Sequence, residues 1–163
     1  MGIASPRPEV RAIGLVSGTL RCGHYDVNEE DISRRAGLQA YEAAGISPQD
    51  IDVVEMHDCF TIAEIVRLEG LGLIPKGEGA AWTADGKTSI GGKLPVNPSG
   101  GLLSRGHPVG ATGMAQVCEL YWQLMNQAGL RQVENARLGL AYCKGGTVSG
   151  TDGASVTTVV MSL

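Results

Sequence analysis

Three short segments of this sequence place proton-handling side chains where a strand would end or a helix would begin. They are His57-Asp58-Cys59-Phe60, Gly106-His107-Pro108-Val109-Gly110-Ala111-Thr112-Gly113, and Cys143-Lys144-Gly145-Gly146. An imidazole and a thiol are the two side chains most easily tuned to exchange protons near neutral pH, so His57 and Cys59, two residues apart, form a candidate acid/base pair. A cysteine beside a helix start also serves as a small hydrophobe, and both readings stand on spacing alone. In the second segment Pro108 stops a strand and the glycines relax the backbone. Amide N–H groups can then point outward beside His107 at a helix N-terminus, where an anionic oxygen would be stabilised. The third segment sets Cys143 at the mouth of a glycine turn, as a reactive thiol or as an edge cysteine before a hairpin. Asn97-Pro98-Ser99-Gly100-Gly101 precedes the His107 segment and reads as a turn that lets backbone pass close to a site.

The elements that must position these groups follow from periodicity. Arg11 to Thr19 reads as a strand, and Glu29 to Ala44 as an amphipathic helix with Ile32, Ala36, Ala40, Ala43 and Ala44 at near-helical spacing, closed by Gly45 and Pro48. Ile51 to Met56 suits a buried strand. Thr61 to Glu69 resumes the helical period with Ile62, Ile65, Val66 and Leu68 around a polar face. Leu71 to Gly110 reads as a long Gly- and Pro-rich connection, relieved by a short strand near Lys93 to Val96; a structureless loop of that length is usually functional. Ala111 to Gln127 carries Met114, Val117, Cys118, Tyr121, Leu124 and Met125 as a core-facing stripe. Arg137 to Cys143 and Ala154 to Ser162 read as two strands joined through Gly145 to Gly153, an antiparallel hairpin. Strands alternating with helices and ending in a hairpin imply an α/β layered fold with a mixed sheet, which puts ligands beyond the strand ends, where the three segments lie.

Composition narrows the function classes. The chain has 163 residues, 43% hydrophobic and 18% charged, which suits one globular domain with a real core. A net charge of −4 offers no cationic surface for nucleic acid. The four cysteines, Cys22, Cys59, Cys118 and Cys143, form no C-x-x-C pair, so neither a zinc site nor a disulfide framework is expected and free thiols in a reducing cytosol are the default. No apolar run approaches the roughly 20 residues that span a bilayer, and no signal peptide is evident.

With the segments in order, the chain resembles the thiolase family, and within it the sterol-carrier-protein type. The resemblance runs from about Val10 to Val160 and is carried by His57-Asp58-Cys59-Phe60, by Gly91-Gly92-Lys93 with Asn97-Pro98-Ser99-Gly100-Gly101-Leu102, and by the glycine-framed His107 segment. It implies an α/β thiolase-like half, residues 1–163, with a mixed five-stranded sheet covered by helices. It also implies acyl-CoA chemistry: cleavage of a 3-ketoacyl-CoA by CoA, or the reverse condensation, through an acyl group held on a cysteine. His107 then matches the histidine that activates that cysteine, and His57 stands where the acetoacetyl-CoA type has an asparagine, holding a water against the other thioester oxygen. Either Cys59 or Cys143 supplies the second acid/base thiol; the subtype favours Cys59. Asn97, Gly101, Phe60 and Gly145 become substrate-contacting positions. CoA is expected as substrate rather than resident cofactor, and no metal is implied.

The family's nucleophilic cysteine lies in an N-terminal half that this sequence does not include, and Cys22 sits in the wrong region to replace it. The chain is therefore expected to be a fragment, a split-gene subunit or a partner-dependent remnant, acting with that half in cis or in trans as a homo- or hetero-oligomer. A cytoplasmic location is expected, with peroxisome and mitochondrion left open. Tyr142 suggests an alternative, because some thiolase-like lyases split β-hydroxyacyl-CoA with tyrosines instead of a cysteine pair. A third reading is a non-catalytic acyl-CoA-binding subunit.

Overall fold

Alternating β-branched and small residues set the sheet, and the computed structural model describes residues 6–19, 31–146 and 153–163. Strand β1 (Glu9–Ser17) leads into helix α1 (Asp31–Ala44); β2 (Val53–Met56) follows, then α2 (Thr61–Gly70), the short α3 (Gly79–Ala84) and α4 (Gly101–Arg105), α5 (Thr112–Leu124), and finally β3 (Leu138–Gly145) and β4 (Ser155–Ser162). Glu29, Glu30, Cys22 and the turn residues 147–152, all used in the sequence reading, lie outside the described residues.

The strands form a mixed four-stranded sheet in the order β1-β4-β3-β2. β3 and β4 pair as the expected antiparallel hairpin, β1 joins β4 antiparallel, and β2 runs parallel to β3 with Met56 opposite Tyr142. The five-stranded sheet expected from the sequence is corrected to four named strands. The Lys93–Val96 strand shrinks to one parallel bridge between Val96 and Val54, with Val54 N–H donating to Pro95 O and Asn97 N–H to Val54 O. Pro95 lacks an N–H, and Asn97 takes a positive φ of 49°, so the ladder cannot extend past this point.

Side-chain alternation splits the core into two layers. Val54, Met56, Leu140, Tyr142, Val156 and Val160 face α1, whose Ile32, Ala36 and Ala40 are fully buried. The approach is close because the contact residues are small: a Cβ added at Gly14 would lie 2.7 Å from the Ala36 carbonyl, to which Thr158 Oγ1 donates at 3.0 Å. On the other face Val53, Ala141 and Met161 pack with Leu120 and Leu124 of α5. Gly139 belongs to this contact, since a Cβ there would sit 2.9 Å from Leu120 Cδ2.

Two helical faces differ from the sequence reading. In α2 the buried positions are Ala63, Arg67 and Leu68, while Ile62 is exposed. In α5 the buried positions are Thr112, Gln116, Glu119, Leu120, Gln123 and Leu124, while Met114 and Tyr121 of the expected apolar stripe face outward, as does Trp122. The polar residues can be buried because they are paired: Glu119 takes Arg131 at 2.9 Å, and Gln123 Nε2 donates to Glu119 and to Arg131 O. Among the described residues no helix is long and apolar enough to cross a membrane.

Candidate active site

The parallel register of β2 with β3 brings the site together. Met56 opposite Tyr142 makes the next residues, His57 and Cys143, neighbours on the α5 side of the sheet, and His57 Nδ1 lies 3.7 Å from Cys143 Sγ. The N-terminus of α5 closes over them: a Cβ on Gly113 would come to 3.6 Å from Cys143 Sγ. The His107 ring stands edge-on to that of His57, with centroids 4.8 Å apart and planes at 86°. Two of the three sequence segments thus meet the first through specific contacts.

His107 is oriented by its neighbours. Its Nδ1 lies 2.7 Å from Thr112 Oγ1, which also lies 3.1 Å from Pro108 O. Thr112 fixes the ring through Nδ1 and leaves Nε2 as the ring nitrogen outside this contact.

His57 is held in the opposite electrostatic condition. It is 6% exposed, and burial first, then the positive charge of Arg67 and the proximity of His107, push its pKa down to about 4. It is neutral at physiological pH. Burial likewise pushes the Cys143 thiol up, opposed by Arg67. Cys59 is partly buried, and Arg67 Nη2 donates to its sulfur at 3.6 Å.

The remaining sequence-derived positions are placed as follows. Asn97 Oδ1 accepts from Met56 N–H at 2.7 Å, so this side chain pins the end of β2 beside His57. Gly101 is buried with φ 61°, and an added Cβ would collide with the Asp58 carboxylate, which accepts from Leu102 N–H at 2.6 Å. It is a close-packing glycine that lets α4 dock on the His57 loop. Phe60 is 71% exposed at the start of α2, and Gly145 is exposed at the end of β3. Tyr142 lies in the α1 layer, fully buried, with its hydroxyl 2.7 Å from Ser33 Oγ.

Two site residues were passed over in the sequence reading. Arg67 was grouped with a polar helix face. Glu55 was read as part of an apolar strand, yet its side chain is wholly buried and clamps the Asn97–Gly101 turn: Oε1 accepts from Ser99 N–H at 3.0 Å and Oε2 from Ser99 Oγ–H at 2.7 Å, with Arg105 Nη2 3.9 Å away. Burial outweighs these bonds and lifts its pKa to about 7. The available signal was a single carboxylate inside an otherwise apolar strand, which requires a buried partner. Among the described residues no group of three or more His, Cys, Asp or Glu side chains is arranged to hold a metal ion.

A neutral imidazole with the Cys143 thiol beside it and a second imidazole edge-on to it form a constellation suited to proton transfer at a strand end, with Cys59 on the loop two residues beyond His57. A family model for thiolase C-terminal domain-like sequences matches residues 24–160, and the chain belongs to that family. It is 48% identical over 139 residues to an acetyl-CoA acetyltransferase of Methanothermobacter thermautotrophicus, covering 85% of this chain and 36% of that protein. It is 51% identical over 112 residues to sterol carrier protein 2 of Homo sapiens, covering 69% and 20%, and 43% identical over 152 residues to benzoylsuccinyl-CoA thiolase subunit BbsB of Thauera aromatica, covering 90% and 38%. The chain thus spans well under half the length of the curated relatives it matches. The fold is shared with a solved Ltp2-ChsH2(DUF35) aldolase at TM-score 0.80 and 24% identity, over 96% of this chain and 40% of that one.

Proposed function

We propose that this chain is the C-terminal catalytic half of a thiolase-type acyl-CoA acyltransferase, acting with an N-terminal half, in cis or in trans, that supplies the nucleophilic cysteine. The observation that carries this reading is the meeting of His107 and Cys143 with His57 at the strand ends. An exposed histidine held through Nδ1 by Thr112, beside a neutral His57, suits a base that takes the proton of a thiol presented from outside this chain. In this reading the activated sulfur attacks the 3-keto carbon of the acyl-CoA. The C–C bond breaks toward the thioester side, and the resulting enolate is held by hydrogen bonds at the His57 end of the site. The enolate carbon takes a proton from a thiol of this chain, and CoA then releases the acyl group from the cysteine. CoA is a substrate throughout.

Two alternatives receive less support. A lyase working through Tyr142 would need that phenol at the site, whereas its hydroxyl faces Ser33 in the α1 layer. A non-catalytic acyl-CoA-binding subunit has no need of two histidines and a thiol converging at one set of strand ends.

The test is the intact mass of the chain and of any protein that co-purifies with it, after brief incubation with acetyl-CoA or acetoacetyl-CoA. An acyl adduct on a co-purifying chain, lost with His107→Ala here, is the expected result. Intact thioester recovered with no adduct on any chain would refute the acyl-enzyme mechanism.

A further inference from the structure

One buried ionisable side chain takes no part in the proposed acyl transfer. Glu55 lies two residues before His57, so both side chains leave the strand on the same side of the sheet, toward α5. β2 is the last strand of the sheet, and beyond it only Val96 bridges to Val54. The strand end is strapped instead by the turn that follows that bridge. Asn97 Oδ1 accepts from Met56 N–H at 2.7 Å and Asp58 Oδ1 accepts from Leu102 N–H at 2.6 Å, so the residues on either side of His57 are both bound to one short segment. Asn97 takes a positive φ of 49°, a conformation that persists where its surroundings hold it.

The hydrogen bonds around Ser99 fix the charge that this hold requires. Gly101 N–H and Arg105 Nε–H, which can only donate, reach Ser99 Oγ at 3.3 and 3.2 Å and occupy its two lone pairs. The one hydroxyl proton is left for Glu55 Oε2 at 2.7 Å, while Ser99 N–H donates to Oε1 at 3.0 Å. Both carboxylate oxygens therefore accept. Protonation turns one acceptor into a donor, and the turn must then give up a bond. Arg105 Nη2 calls for the same charge: it is buried, has no hydrogen-bond acceptor among the described residues, and has Glu55 3.9 Å away.

We infer that Glu55 is a positioning residue for His57, whose ionised carboxylate holds the Asn97–Gly101 turn and through it the strand end that carries His57. The inference rests on the acyl-CoA reading above for what His57 does, and adds what keeps it in place. The charged groups that act on Glu55 are Glu119 of α5 and Arg105 of α4, with Arg131 ahead of β3 coupled to it in turn, and Glu119 and Arg131 are already paired at 2.9 Å. Burial, opposed by the Ser99 bonds, brings the Glu55 pKa to about 7. The clamp is closed above that pH and released as pH falls through it. Protonation relieves the fold of a buried charge while costing the turn a bond, so global stability and local order move in opposite directions.

The test follows this chain by NMR between about pH 5 and 9, reading the backbone amides of Met56, Ser99 and Leu102 and the ring of His57. In the wild type all four should share one inflection near pH 7, and the hydrogen-exchange protection of Met56 N–H should fall about tenfold between pH 8 and 6. Glu55→Gln should abolish the shared inflection. Ser99→Ala keeps the carboxylate but removes the hydroxyl, and should leave Met56 weakly protected at both pH values. Ser99→Thr should restore the wild-type profile, which a merely space-filling role for these side chains would not require. An inflection confined to Ser99, or one at Met56 and His57 that survives in Glu55→Gln, would overturn the inference. Should Glu55→Gln fail to fold, the two serine variants decide the question, since equal Met56 protection in both would overturn it as well. Failure of the acyl-CoA reading would instead appear as a missing acyl adduct with this coupling intact.

Discussion

Two buried groups in the site give this chain opposite pH dependences that should nearly cancel, and replacing either one should reveal the other. The Glu55 pKa rises from 4.5 to about 7 in the fold, chiefly through burial. The folded state therefore holds a proton that the unfolded chain has lost, and stability from this group is full below pH 4.5 and disappears as pH rises through 7. The His57 pKa falls from 6.5 to about 4, again chiefly through burial. Its contribution is full above pH 6.5 and is lost as pH falls through 4. Each displacement corresponds to about 3 kcal/mol over its window. Between pH 4.5 and 6.5 the folded chain gains one proton at Glu55 and forgoes one at His57, so the two slopes have opposite sign and similar size.

The perturbation is Glu55→Gln, read by urea unfolding with circular dichroism at pH 4.5, 5.5, 6.5 and 7.5. Glutamine keeps an acceptor for Ser99 N–H but cannot accept from the Ser99 hydroxyl with its amide nitrogen, so some uniform loss of stability is expected at all pH values. The diagnostic feature is the slope. The variant should lose about 3 kcal/mol on going from pH 6.5 to 4.5, a midpoint shift on the order of 1–2 M urea, where the wild type changes little. His57→Gln should show the reverse, losing stability as pH rises from 4.5 to 7. Comparing each variant with the wild type at the same pH removes the background of other carboxylates. A Glu55→Gln curve parallel to the wild type at every pH would refute the claim that burial governs this carboxylate.

Two other expectations can be checked directly. Thr112→Val removes the hydroxyl that holds His107 through Nδ1, so nitrogen NMR of the imidazole should show its tautomer balance change and, in the complete assembly, turnover should fall about tenfold or more. Replacing Ile13 and Leu15 of β1, which are 59% and 64% exposed, with serine should alter the chain's own stability by less than about 1 kcal/mol while reducing its self-association in sedimentation velocity. A larger destabilisation would mean that these side chains are already packed.

The parts of the fold that depend on one period were legible in the sequence: the β3–β4 hairpin, the α1 face of Ile32, Ala36 and Ala40, and the placement of His57 and Cys143 at strand ends, though not that the two strands are parallel neighbours. The errors fell where a side chain's character and its burial disagree. Ile62 looked like core and is exposed, whereas Arg67 looked like surface and is buried, because the tertiary demand at α2 is for a small residue and a cation against Cys59 and Tyr142. Glu55 was invisible for the same reason, since its partner Ser99 is 44 residues away. The fifth strand failed on a local fact, a proline and a left-handed asparagine bracketing Val96.

The inverted face of α5 and the bare face of β1 belong to one explanation. The register places Val10, Ile13 and Leu15 opposite Met161, Val159 and Thr157, on the side of the sheet that α5 covers chiefly over β2 and β3. α5 turns paired polar residues toward that sheet and leaves Met114, Tyr121 and Trp122 outside. A helix that spends buried hydrogen bonds inward and presents apolar surface outward is built to be covered on both sides. His107 sits at the head of this helix, exposed, with the neutral His57 beside it. In the proposed assembly, the surface that would cover α5 is also the one that would bring a thiol to His107, so docking and completion of the catalytic site become a single event.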